Sequence, residues 1–143
     1  MRRLILIVSL LGLFTPSAQT QTPEEQLDRY AQEAQRALSE QRYDDAARAF
    51  EKLRELSPQT AEVHAQLGAI YFQQLAFAKA IPSLRQALKL KPDLPKVDVL
   101  LALCLSEMGQ FKEALPGLRK AFDQTADAPL RRLVRRARSA RQA

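Results

Sequence analysis

The chain has 143 residues, 46% hydrophobic and 27% charged, with no Trp and a formal net charge of +6. A single Cys and a single His exclude an internal disulfide and a Cys/His metal cage, so stability must come from packing. Thr22 to Ala128 carries 14 basic and 16 acidic residues, whereas Pro129 onward carries six Arg and no acid. The basicity therefore belongs to the tail, and the net charge does not point to nucleic-acid binding by the whole protein.

In chain order, Arg2 and Arg3 precede an apolar run from Leu4 to Phe14, followed by small residues at Thr15-Pro16-Ser17-Ala18 and a polar stretch from Gln19. The run is too short to span a bilayer comfortably, and the pattern reads as a signal peptide over residues 1–20. No Cys follows the run, so lipoprotein-type cleavage is not indicated. Export to the periplasm or secreted space is the expectation; left uncleaved, the segment would anchor the chain in the membrane. Residues 21–26 read as a short linker.

The rest is dominated by Leu, Ala, Gln, Glu, Arg and Lys, the residues that lose least on entering a helix. It also repeats. Ala46, Ala80 and Ala114 are 34 residues apart, as are Tyr43, Phe77 and Phe111, and as are Phe50, Leu84 and Leu118. Pro58 and Pro92 keep the spacing, and so do Pro82 and Pro116. Three helix pairs follow, over 27–60, 61–94 and 95–128. Leu67, Tyr71 and Leu75 form one helical stripe, and Ala80, Leu84, Ala87 and Leu88 the next. Gly68 and Ala80 are small enough for paired helices to approach closely. Ser57-Pro58 and Lys91-Pro92 end the second helices, Met108-Gly109-Gln110 marks a turn, and Pro82 and Pro116 fall early in their helices.

Leu67-Gly68, Tyr71, Ala80, Leu84, Ala87 and Pro92 give the middle unit its pattern, with His64 where Trp is often found. In this the chain resembles the tetratricopeptide repeat family, over about 100 residues at the family's 34-residue period. Departures fall in the outer units: Glu33 and Ala37 stand for Leu67 and Tyr71 in the first, and Ala102 and Ala126 for Gly68 and Pro92 in the third. The resemblance implies an all-α, right-handed helical-repeat solenoid of three helix pairs, closed by a basic C-terminal helix over 129–143.

The residues argue against an enzyme. His64 and Cys104 fall at different phases of their repeats, and no phosphate loop, nucleophile elbow or zinc spacing is present. Glu24-Glu25 and Asp44-Asp45 read as helix-start charges. No cofactor, metal or small-molecule substrate is expected. The resemblance implies instead a concave groove lined by the first helix of each pair, which accepts a peptide or helix of another protein. Its phase gives Asp28, Ala31, Gln32 and Gln35, then Glu62, Ala65, Gln66, Ala69 and Phe72, then Lys96, Val99, Leu100, Leu103 and Ser106. The family's basic carboxylate clamp does not fit, because Ala31 and Leu100 occupy clamp positions. An apolar partner segment suits this surface.

The tail places Leu130, Leu133, Val134 and Ala137 on one stripe, surrounded by Arg131, Arg132, Arg135, Arg136 and Arg138. It reads as a cap on the last repeat. The alternative is peripheral binding of an anionic membrane surface or of nucleic acid through these arginines. Nucleic acid is disfavoured for an exported chain whose tail arginines have no aromatics among them.

Overall fold

The computed structural model describes residues 22–94 and 96–124, and positions 132, 133, 135, 136 and 139 of the tail. The signal segment lies outside the described residues, as do Arg131 and Arg138. Six helices run in order: α1 (Pro23–Ser39), α2 (Tyr43–Leu56), α3 (Ala61–Gln73), α4 (Phe77–Leu90), α5 (Val97–Glu107) and α6 (Phe111–Gln124). No strand occurs among the described residues. Each odd-numbered helix packs on the even one after it, while α2 meets α3, α4 meets α5, and α3 also touches α5. The fold is an all-α helical repeat.

The first helix corrects the expected linker. Thr22 accepts from the Glu25 amide at 3.2 Å, the Glu25 carboxylate accepts from the Thr22 amide at 2.9 Å, and Pro23 opens the helix. This capping box satisfies two amides that the helix end leaves without partners, so α1 starts inside the segment assigned to a linker. Its Leu27 and Tyr30 pack against a small cluster of Ala34, Ala49 and Leu53.

The turn within each pair is built the same way three times. Gln41, Leu75 and Gly109, at the period of 34, adopt left-handed φ values of 56°, 57° and 74°. The next amide reaches back to the last turn of the helix, Arg42 to Ala37, Ala76 to Tyr71 and Gln110 to Leu105, each at 2.8 Å. These are Schellman caps, which need one left-handed residue and favour Gly there. Only the third turn has the glycine.

Two expectations about Pro and periodicity need correction. Pro82 and Pro116 are the sixth residues of α4 and α6, beyond the first turn, so each removes a real helical bond. Both are exposed, which leaves the orphaned carbonyls of Ala78 and Lys112 within reach of water and lets the helices continue. In addition, α5 begins at Val97, two residues later than the period from Ala61 requires, behind Lys96 at φ 64°.

The core runs through all three pairs. Leu67, Ala80, Leu84, Ala87, Ala114 and Leu118 are fully buried. A Cβ placed on Gly68 would lie 2.5 Å from Leu84 Cδ2, so only glycine allows α3 and α4 their separation. In the third pair the glycine has moved to the other helix: a Cβ on Gly117 would meet Ala102 Cβ at 2.7 Å and the Asp98 carbonyl at 2.9 Å. That exchange accounts for Ala102 at the position equivalent to Gly68.

Two substitutions should move stability in opposite directions, read by thermal melting. Leu75→Gly should stabilise by about 0.5–1 kcal/mol, because Leu75 is left-handed and 72% exposed, so it has backbone strain to lose and little burial to forfeit. Ala80→Arg should cost about 3 kcal/mol or more by forcing a charged chain into a full core.

Candidate functional site

A depression of about 300 Å³ lies between α3 and the start of α5. Glu62, Ala65, Gln66 and Ala69 form its α3 side, and Leu94, Lys96, Val97 and Leu100 face them. Gln66 and Lys96 are exposed, while Ala65, Ala69 and Leu100 are half-buried, so the floor is apolar and the rim polar. Glu62 is drawn to Lys91 at 3.1 Å. A hydrogen bond from its own backbone amide, and then the Lys91 ammonium, hold the Glu62 carboxyl below its ordinary value. No acid among the described residues lies within ion-pair distance of Lys96.

Six residues expected in the groove therefore come together: Glu62, Ala65, Gln66, Ala69, Lys96 and Leu100. The others do not. Gln35 is exposed on α1, outside this depression. Phe72 tilts 60° against Phe77 with ring centroids 5.8 Å apart, and both Phe72 and Leu103 pack against the core. Val99 is half-buried without lining the opening. Leu94 and Val97 were not anticipated, because the reading followed the first-helix phase and these residues flank the joint into α5. The signal available was Pro95, which disfavours helix at Leu94 and so opens the joint there.

In the tail, Leu133 packs against the core and the Arg136 guanidinium carbon stands 5.6 Å from the centroid of Phe111. Arg132 and Arg135 are exposed.

A family model described as anaphase-promoting complex, cyclosome, subunit 3, of tetratricopeptide type, matches residues 39–121, more than half of the chain. The chain belongs to the tetratricopeptide repeat family. Solved structures of the same repeat agree. The Arabidopsis OM64 TPR domain has a TM-score of 0.69 at 15% identity, covering 82% of this chain and 98% of that one. The TPR2B domain of yeast Sti1, solved as a complex with pHsp70, scores 0.64 at 14% identity and covers 80% and 97%. YrrB, described as a TPR protein with an unusual peptide-binding site, scores 0.69 at 18% identity and covers 81% of this chain and 60% of its own. At these identities the likeness is one of fold. No curated protein matches the sequence.

The reactive side chains of this tetratricopeptide repeat chain are occupied structurally. His64 is buried and its Nε2 donates to the Pro58 carbonyl at 2.8 Å. Cys104 is fully buried, and burial pushes its thiol up to about 11, the reverse of what a nucleophile needs. Burial, and then donation to the Glu51 carboxylate, push the Tyr71 hydroxyl up to about 12. Among the described residues no three His, Cys, Asp or Glu side chains group as metal ligands, and no helix is long and apolar enough to cross a membrane.

The two raised groups predict an alkaline limit. Ionising them costs the folded chain more than the unfolded one. Their stability contributions are therefore complete below the ordinary values of 9.0 and 10.0 and are lost as pH rises through about 11 and about 12. The melting temperature should hold to pH 9 and then decline. Cys104→Ala should remove the first part of that decline and leave the part that begins near pH 10.

Proposed function

We propose that this chain is a non-catalytic scaffold that binds a segment of another polypeptide in the depression between α3 and α5, and that it does so in the cell envelope or secreted space. The observation that carries the reading is the half-buried apolar floor of Ala65, Ala69 and Leu100 beneath the exposed Gln66 and Lys96. Apolar floors with a few polar groups at the rim take up side chains of a bound segment while the rim fixes its register. Two structural neighbours support a polypeptide ligand: the Sti1 domain was solved as a complex with pHsp70, and YrrB is described by its peptide-binding site. Export rests on the Arg2-Arg3 and Leu4–Phe14 pattern. The Arg-rich tail serves this reading as a cap, through Leu133 on the core and Arg136 on Phe111.

The test must spare the fold. Aspartates at Phe72 and Leu103 would not, since both side chains pack against the core. Gln66→Arg with Ala69→Arg fills the groove from an exposed and a half-buried position and should leave melting within about 0.5 kcal/mol per site. Affinity capture from envelope extract should recover a specific protein with the native chain and lose it with the double variant. Removing 129–143 should lower the melting temperature and keep capture. Capture that survives the double variant would overturn the assignment of the groove.

A further inference from the structure

A second opening, of about 430 Å³, lies between α2 and α4. His64 and Tyr71 line it from α3, on the face of that helix opposite Gln66 and Ala69, as helical periodicity requires. Two of the three buried polar side chains among the described residues, His64 and Ser83, belong to it. Their own needs are met: His64 by the Pro58 carbonyl, Ser83 by donating to the Lys79 carbonyl at 3.3 Å, and the Tyr71 hydroxyl by Glu51.

The two cations of this opening are different. Arg54 on α2 and Lys79 on α4 both line it, and neither forms an ion pair with an acid among the described residues. Lys79 sits 5.7 Å from the Tyr71 ring centroid, and the nearby carboxylate, Glu51, is engaged by the Tyr71 hydroxyl. The same place one period further on shows the contrast. His64 and Gln86 become Asp98 and Lys120, which pair at 2.5 Å; Arg54 becomes Leu88; and Glu51 and Lys79 become Arg85 and Glu113, the same positions with their charges exchanged, which pair at 2.5 Å. There the charges neutralise one another. Here Arg54 and Lys79 line one opening, and Glu51, bound to the Tyr71 hydroxyl, can offset only one of the two cations.

We propose that this opening binds an oxyanion, a carboxylate or phosphate group, held between Arg54 and Lys79. Guanidinium and ammonium groups carry donors and no acceptors, and the guanidinium fork matches both carboxylate and phosphate. An apolar ligand would strip water from both cations with no return. The site lies on the other face of α3 from the groove and does not depend on it.

The test is an NMR titration of the full chain with inorganic phosphate and, separately, with glutarate, at ionic strength held constant with sodium chloride. Saturable shifts at Arg54, Tyr71, Lys79 and Ser83 are expected, with dissociation constants on the order of 1–10 mM for a free anion. Saturation by phosphate alone assigns a phosphoryl ligand, by glutarate alone a carboxylate, and by both a general oxyanion site. Arg54→Gln and Lys79→Gln, at half-buried and exposed positions, should each weaken binding about tenfold with melting unchanged. The Gln66→Arg, Ala69→Arg variant should keep its anion affinity, which separates this site from the groove. Absence of saturation with either anion, or unchanged affinity when both cations are replaced, overturns the proposal.

Discussion

Everything in this chain depends on how closely two helices of a pair can lie. Gly68 against Leu84, and Gly117 against Ala102 and the Asp98 carbonyl, set that distance in the second and third pairs. Close pairing removes Leu67, Leu84 and Leu118 from water almost completely, and dispersion between well-packed side chains falls quickly if the gap opens. With a single buried Cys there is no internal disulfide, so the repeats are held by this packing, with bonds between helices such as Tyr71–Glu51 and Arg85–Glu113 adding to it. The Schellman caps contribute by fixing the return angle of each turn, so that the second helix arrives already aligned with the first.

Most of this architecture was legible in the sequence because packing positions repeat while solvent positions drift. The Ala at 46, 80 and 114 and the aromatic residues at 43, 77 and 111 sit where a change of size is felt at once. The failures share a physical origin. Periodicity assumes that every unit starts at the same phase, and α5 does not. A groove read from phase alone therefore missed Leu94 and Val97. It also includes Phe72 and Leu103, which do not line the depression, since phase reports which way a residue points and not which neighbour, such as Phe77 beside Phe72, it meets there. The two prolines were misplaced for a related reason: a sequence pattern marks an exposed face more sharply than a helix start.

The same reasoning explains why the face formed by α2 and α4 was overlooked. His64 and Tyr71 read as packing residues, and they are packed, with their polar atoms satisfied inside the core. What sequence could not supply was the pairing of charges. Arg54 and Lys79 are unremarkable one at a time. Their significance comes from comparison with the neighbouring unit, where Leu88 stands for Arg54 and Glu113, equivalent to Lys79, is paired across the helices with Arg85. In a repeat array each unit serves as a control for the others, and an unpaired charge stands out only against that background.

The exchange of the small residue between helices has a consequence for modularity. In the second pair the glycine belongs to the first helix, and in the third to the second helix. A chimera that joined α3 to α6 would bring two glycines to one crossing and leave a void. The reciprocal union of α5 with α4 would set Ala102 against Leu84 with no glycine between them. Although the units share one period, the individual helices are therefore not interchangeable parts. Shuffling or duplication can succeed only by moving whole pairs.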